Sequence, residues 1–253
     1  MRARVGVVIV LGVVLGAWEL FVDLGGADPL ILPPPHAVAS SLFDDRGLLW
    51  SNFLTTALEI LLGIGVAATF GLGMAVTLHF FDRTLRPSVY PLLIASQAVP
   101  IVLLAPVLVL WLGFGLIDKL VVIAIVSFFA FVVTTLAGLS SVDPDLVKLM
   151  RTFDATRGQI FRFVELPAAL PGLLTGAKIA VVFAPIAAVL AEQAGSSSGL
   201  GFVLQEALGQ YLVARMWAAV FILAAFAIGL FALLTVAERR IAPWASRPRG
   251  DRP

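Results

Sequence analysis

The sequence predicts an all-α, polytopic membrane protein. We expect a bundle of about six transmembrane helices with both termini in the cytoplasm and a short cytoplasmic helix between two spans. The chain is 60% hydrophobic and only 13% charged, with a mean hydropathy of +1.03, whereas soluble domains are about half apolar and a quarter charged. Six apolar runs and an uneven distribution of basic residues support the same prediction.

Each of the six runs is close to the roughly 20 residues that a helix needs to cross the hydrocarbon layer. Three prolines, Pro91, Pro100 and Pro106, predict kinks in the third run. We interpret the 253 residues as a single transmembrane domain, 1–253. The runs are Val5–Val22, Thr55–Leu78, Val89–Trp111, Leu120–Leu139, Pro171–Ala191 and Trp217–Val236.

The basic residues predict the orientation. With a cytoplasmic N-terminus, 13 of the 17 Lys and Arg residues fall on the cytoplasmic side, including those of a C-terminal tail at about 239–253. Three fall outside, and Lys178 lies within the fifth span. This bias follows the positive-inside rule and favours an even number of spans.

The composition also limits the function. The net charge of +1 gives no electrostatic case for nucleic-acid binding. The absence of Cys excludes disulfides and thiolate metal sites, and two His residues are too few for a His-based metal centre. No Gly-rich phosphate loop with a following Lys is present, so we expect this chain to bind no ATP and no metal or other cofactor itself.

The longest predicted cytoplasmic loop, at about 140–170, carries the functional signal. Asp143 is a candidate N-cap and Pro144 a first helical residue. The apolar residues that follow have helical spacing and form one stripe, and a second helical piece is expected from Thr156 to Val164, ending at Leu166-Pro167. The stripe consists of Leu146, Leu149, Met150 and Phe153. Such a helix could lie on lipid, pack on the bundle or dock in a partner's groove, and its periodicity does not choose between these.

The segment from Arg151 to Pro171, RTFDATRGQIFRFVELPAALP, resembles the coupling loop of binding-protein-dependent ABC importer permeases. In that family the loop reads Glu-Ala-Ala, three residues, Gly, and a run ending in Ile-Phe and Leu-Pro. The resemblance extends from the Leu32-Pro33 segment to Trp244 and is closest to the nitrate, taurine and sulfonate branch, with the thiamine-precursor pyrimidine group among its members. Here Lys148-Leu149-Met150 replaces the triplet and Asp154 replaces Gly, and Asp is one of the few residues that tolerate a left-handed backbone.

The resemblance implies a non-catalytic permease subunit of the bacterial inner membrane that moves a small polar solute inward, such as a sulfonate, taurine, nitrate or a pyrimidine precursor. It implies three protein partners: ATPase subunits that bind ATP and Mg, a second permease, and an extracytoplasmic solute-binding protein. The second permease is either another copy of this chain in a homodimer, which we expect, or a sister permease. The residues expected at the ATPase contact are Leu149, Met150, Arg151, Phe153, Asp154, Ala155, Ile160, Phe161 and Pro167.

Polar residues within the spans are candidates for the transport pathway. Gln97 lies in the third span, Lys178 in the fifth, and Glu192 follows the fifth span before a Gly/Ser-rich turn. Lys178 either extends to the interface or lines the pathway. Glu192 belongs either to a solvated loop or to an outer gate.

Small residues recur every four positions, at Gly63, Ala67 and Gly71 and again from Gly176 to Ala188. This spacing favours close helix packing within the chain, with a moving surface beside the pathway as the alternative.

An ion-gradient-driven secondary transporter is the alternative function. Six spans, an intramembrane Lys and kinked helices would suit one half of such a carrier. The coupling-loop resemblance argues against it, and dependence of uptake on ATP would separate the two.

Overall fold

The computed structural model describes residues 2–82 and 84–246, and this part of the chain forms helices and short connections without a strand. Arg83 and the end of the predicted C-terminal tail, residues 247–253, lie outside the described residues. The helices are α1 Arg2–Asp23, α2 Pro35–Asp44, α3 Arg46–Phe80, α4 Arg86–Ser96, α5 Ile101–Leu112, α6 Leu116–Ser140, α7 Pro144–Thr152, α8 Arg157–Ile160, α9 Leu166–Gly195, α10 Leu200–Gly209 and α11 Val213–Ile241, followed by a 3₁₀ turn, Pro243–Ser246.

Four of the described helical segments are long and apolar enough to cross a membrane. They are α3, α6, the continuous helix Arg157–Gly195 and α11. The 22-residue helix α1 coincides with the first predicted run. The third predicted run is the exception, because it forms the separate helices α4 and α5.

The prediction of a single kinked third span is wrong. Helices α4 and α5 contain 11 and 12 residues and meet at an angle of 96°. Pro100 lies at the break with φ −65° and ψ 118°, as the N-cap of α5. Proline lacks the N–H that would continue α4, and it disfavours a helical conformation of the preceding residue. The sequence therefore produces a break rather than a bend.

The two short helices nevertheless pass from one end of the bundle to the other. Val89 of α4 packs on a cluster that contains Leu78 of α3, whereas Ile101 of α5 packs on a cluster that contains Ile60. Ile60 and Leu78 are about 27 Å apart along α3 at 1.5 Å per residue. The pair is thus a broken span, which is compatible with the predicted even number of crossings.

Helix α6 packs very closely against both α3 and α9. A Cβ atom at Gly71 would lie 2.6 Å from Cβ of Phe131 in α6, and one at Gly176 would lie 2.5 Å from Oγ1 of Thr134. The Ala residues of both small-residue stripes are buried as well. The prediction that these stripes serve packing within the chain is confirmed, since larger side chains would separate the helices.

The two ends of the bundle carry different groups. At the end that carries α7, Trp244 lies beside Ser141 and Pro144, so α11 finishes on the side of the coupling loop. At the opposite end, Arg215 of α11 binds Asp45 through two hydrogen bonds of 2.7 and 2.9 Å. This guanidinium lowers the pKa of the Asp45 carboxyl. Which end faces the cytoplasm stays a prediction from the basic residues.

We expect Gly71→Ala to destabilise the protein, because its new methyl group would meet the Phe131 Cβ atom, which cannot move unless the α6 backbone shifts. The matched control is Gly73→Ala in the same helix, where a Cβ atom has no neighbour within 4 Å. The control gains up to about 1 kcal/mol of helix propensity. Thermal unfolding in detergent should show a lower Tm for the first variant only; equal Tm values would contradict the packing described for α3 and α6.

Candidate coupling surface and buried polar cluster

Helix α7 is closed at both ends by local hydrogen bonds. Its N-cap Asp143 accepts the Asp145 N–H at 2.9 Å, and Pro144 occupies the first helical position. At the other end Asp154 is left-handed, with φ 56°. The Ala155 N–H binds the Met150 carbonyl and the Asp154 N–H binds that of Arg151, which is a Schellman motif with Asp in the position usually held by Gly. The predicted cap and the predicted turn are confirmed.

The apolar stripe of α7 is largely uncovered within the described chain. No residue of α7 is buried, and Leu149 and Phe153 are 51% and 75% exposed. Lys148 and Arg151 are also exposed and lie off the stripe. Of the three possibilities that periodicity left open, the chain's own bundle covers only the edge of the stripe, where Met150 is half-buried and Leu146 lies beside Val164.

A cluster of charged and aromatic side chains fixes the loop after α7 to the end of α3. Glu165 accepts a hydrogen bond from Arg157 at 2.5 Å and lies 3.0 Å from Nε2 of His79. The Arg157 guanidinium also lies 2.9 Å from His79 Nε2 and stacks 5.0 Å above the Phe80 ring. The spacing of residues along the chain does not predict this cluster, because its members are up to 86 residues apart.

The predicted second helical piece does not end at Leu166-Pro167. Residues Phe161–Glu165 form a π turn that joins α8 to α9, giving one 39-residue helix, Arg157–Gly195. Pro167 lacks an N–H and its ring would clash with the carbonyl four residues earlier in a regular helix. The wider π turn immediately before it absorbs this conflict and lets the helix continue.

Three of the predicted ATPase-contact residues lie inward from the α7 stripe. Ile160 is only 1% exposed, so the chain itself covers it. Phe161 packs on Phe80 with ring centroids 5.1 Å apart, and Pro167 is half-buried at the start of α9. The surface available to another protein is thus formed by Leu149, Phe153 and their exposed neighbours, with Ile160 and Phe161 supporting it from behind.

The predicted pathway residues are not brought together. Lys178 forms an ion pair with Glu238 of α11, a partner that the sequence analysis did not identify. Gln97 is exposed at the break between α4 and α5, and its amide contacts only Ser96 at 3.4 Å. Glu192 lies at the end away from α7.

The interpretation of Glu192 as part of a solvated loop is wrong. Glu192 lies in the last turns of α9 with no exposed surface. Its carboxylate accepts hydrogen bonds from the Thr56 hydroxyl at 2.6 Å and from the Gly201 N–H at 2.5 Å. Thr56 in turn accepts the Leu200 N–H at 2.7 Å, and Asn52 accepts the Gly199 N–H at 2.7 Å. Side chains of α3 and α9 therefore satisfy the free N–H groups at the start of α10.

More buried charge surrounds this site, which we name the α10-cap cluster: Asn52, Thr56, Glu59, Asp118, Lys119 and Glu192. Lys119 binds Asp118 at 3.1 Å and the Gly115 carbonyl at 2.7 Å. Oε2 of Glu59 is buried without a hydrogen-bond partner. A sequence signal was available, because Asn52, Thr56 and Glu59 have the i, i+4, i+7 spacing of one helix face.

One group of described residues has the composition of a metal site. Ligand atoms of Glu19, Asp23 and His36 lie within 4.8 Å of one another. Both the ring Nδ1 and the backbone N–H of His36 bind the Glu19 carboxylate, and this contact raises the pKa of His36. The group thus already has a structural task, which is to join the end of α1 to the start of α2.

A comparison with models of protein families finds a match over most of the chain. Residues 67–243, well over half of the chain, match the model of the binding-protein-dependent transport system inner membrane component. The chain belongs to this family. It is therefore a multi-pass ABC-transporter permease subunit, a class that works with separate ATPase and solute-binding subunits, and the prediction of a non-catalytic transport subunit is confirmed.

Similar proteins extend over almost the whole chain. A probable ABC transporter permease of Haemophilus influenzae is 37% identical over 88% of this chain and 91% of its own length. The formylaminopyrimidine transport permease ThiX of Halalkalibacterium halodurans is 34% identical over 91% of this chain and 92% of its own. The taurine permease TauC of Escherichia coli is 30% identical over 92% and 87%. These names agree with the predicted branch of the family.

A solved structure shares the fold. A chain of the MetNI methionine ABC transporter, in an inward-facing conformation, superimposes with a TM-score of 0.64 at 21% identity. The match covers 80% of the present chain and 98% of that chain. The helical arrangement described above is therefore that of a known permease.

The left-handed turn after α7 can be tested at Asp154. Asp154→Val places a β-branched residue at positive φ, which costs about 1–2 kcal/mol, whereas Asp154→Gly relieves it. In hydrogen–deuterium exchange over residues 150–156, we expect roughly 5- to 30-fold faster exchange in the Val variant and equal or slower exchange in the Gly variant. The same rate in all three proteins would show that the turn does not hold α7.

The α10-cap cluster can be tested with two neighbouring threonines. Thr56→Val removes the group that binds both Glu192 and the Leu200 N–H, and each buried polar group left unsatisfied costs about 1–3 kcal/mol. Thr55→Val loses only a 3.4 Å bond to Ser51. We expect a clearly lower Tm for Thr56→Val than for Thr55→Val. An unchanged Tm in both would mean that the cluster does not stabilise the junction of α3, α9 and α10.

Proposed function

We propose that two copies of this chain form the membrane-spanning pathway of an importer in a bacterial inner membrane. A solute-binding protein delivers the solute at the end that carries α10, and an ATPase subunit with bound ATP and Mg docks on α7 of each copy. The solute is a small polar molecule, namely a sulfonate, taurine, nitrate or a pyrimidine precursor. The names of the relatives ThiX and TauC support this class.

The observation that carries the proposal is the largely uncovered stripe of α7. Leu149 of α7 and Phe153, its C-cap, form one exposed apolar patch, and such patches mark surfaces that contact a protein or a membrane. The caps of α7 fix its direction, and the Arg157–Glu165–His79 cluster anchors the following residues to α3. An apolar helix surface that is held in a fixed orientation in this way is suited to insert into a groove of another protein.

One of the features that suggested a gradient-driven carrier has a structural explanation. Lys178 had suggested an intramembrane charge available to a substrate or a coupling ion. Its ammonium group is instead paired with Glu238 within the same chain.

The proposal is tested by purifying the tagged chain from its native membranes and identifying stoichiometric partners. We expect an ATPase subunit to accompany the wild-type chain. The double change Leu149→Asp and Phe153→Asp should release it, because loss of buried contact residues at an interface centre costs about 2 kcal/mol or more, roughly thirtyfold in affinity. ATP-driven solute uptake in proteoliposomes should fall in parallel.

Lys148→Asp is the matched control, since it places the same residue on the opposite face of α7. It breaks only an exposed ion pair with Asp145, which contributes little. Release of the ATPase by the control as strongly as by the double variant would exclude the stripe as the contact. Uptake by the wild-type chain that follows an ion gradient without ATP would overturn the importer.

A further inference from the structure

An open apolar groove lies between the first turns of α3 and the side of α11. It has a volume of about 650 Å³ and a lining that is almost wholly apolar. Trp50 and Phe53 form one wall, and Ile222 and Phe226 form the other. The edge-to-face contact of Phe53 with Phe226, with centroids 5.4 Å apart, joins the two walls.

One charged residue, Arg46, lines this groove among the described residues. The Arg46 guanidinium lies 4.7 Å above the Phe43 ring and donates one hydrogen bond, to the Phe43 carbonyl. It has no carboxylate partner in the described chain, and its remaining N–H donors are free for a ligand. The nearest acidic residues do not compete, because Asp44 and Asp45 line a separate pocket and Asp45 is already bound by Arg215.

The dimensions fit one leaflet of a membrane. Arg46 is at the level of the Asp45–Arg215 pair, and Phe53 is seven residues further along α3, about 10 Å deeper. Half of the hydrocarbon layer measures about 15 Å. Trp50 lies one turn below Arg46, a position that suits the boundary between headgroups and hydrocarbon.

We propose that this groove binds a phospholipid with an acidic headgroup, from the leaflet at the end of the bundle away from α7. Arg46 binds the phosphate, and one acyl chain lies between Trp50 and Phe226. The single unpaired cation favours an anion over a neutral partner surface. The one-leaflet depth and apolar lining of the groove favour a chain of methylenes over a protein side chain.

The test uses Trp50 as the reporter. The other four tryptophans are changed to Phe, and the protein is placed in phosphatidylcholine nanodiscs with a small fraction of lipid brominated in its acyl chains. We expect brominated phosphatidylglycerol to quench Trp50 about fivefold more effectively than brominated phosphatidylcholine at the same fraction. Arg46→Gln should remove this preference, and Ala225→Phe, which fills the groove, should reduce quenching by both lipids.

A protein that retains only Trp111 is the control, because Trp111 is 78% exposed and lies outside the groove. It should show no preference between the two headgroups. Equal quenching of Trp50 by the two lipids, or a preference that survives in Arg46→Gln, would overturn the proposal. Absence of quenching even in fully brominated lipid would also overturn it, because a second copy or another protein would then cover the groove.

Discussion

Helix α6 approaches both α3 and α9 so closely that neither contact has room for an added methyl group. On one side Gly71 meets Phe131, and on the other Gly172 would place a Cβ atom 2.3 Å from the Thr134 carbonyl oxygen. In lipid no hydrophobic effect drives helices together, so such close van der Waals contact is the main source of attraction between them. The positions of the remaining elements follow, because α3 and α9 carry polar clusters at their ends.

Several buried polar groups of this bundle are satisfied by partners from neighbouring helices. A polar group within a membrane protein is costly unless it finds a partner. At the α10 end, Glu192 is surrounded by donors from α3 and α10. Gly199 is required there for two reasons, since its φ is +105° and a Cβ atom would lie 2.3 Å from the Glu192 carboxyl. The partners that lower the cost of burial thus also fix where α10 begins.

Local features of this chain were predictable and distant ones were not. The Asp143 cap, the α7 stripe and the tolerance of Asp154 for a left-handed turn depend on residues within a few positions of one another. The Lys178–Glu238 pair and the Glu192 contacts join residues far apart in sequence. Periodicity can show that Asn52, Thr56 and Glu59 share one face of α3, but it does not identify the partner of that face. The glycine stripes occupy an intermediate position, because their spacing predicted close packing without naming α6 as the partner.

The prolines of the third span predicted a distortion of the helix but not the extent of that distortion. Three prolines predicted a kink, but a kink assumes that the helix continues with an altered hydrogen-bond pattern. At Pro100 both the missing N–H and the restriction on the preceding residue act at the same point. The chain therefore turns by 96°, and the two short helices pack on two different clusters, which contain Leu78 near the end of α3 and Ile60 near its middle.

These contacts define which parts of the molecule must move together. Helix α7 is joined to α6 by three residues and to α8 by four, so a force on its apolar stripe acts directly on α6 and on the 39-residue helix that contains α9. Those two helices cannot separate easily, because Gly138, Gly172 and Gly176 keep their backbones in contact. They form one rigid unit that reaches from the α7 surface to Glu192. The break at Pro100 is different, since α4 and α5 can change their angle there without breaking a helical hydrogen bond, and packed helices move past each other chiefly at such points.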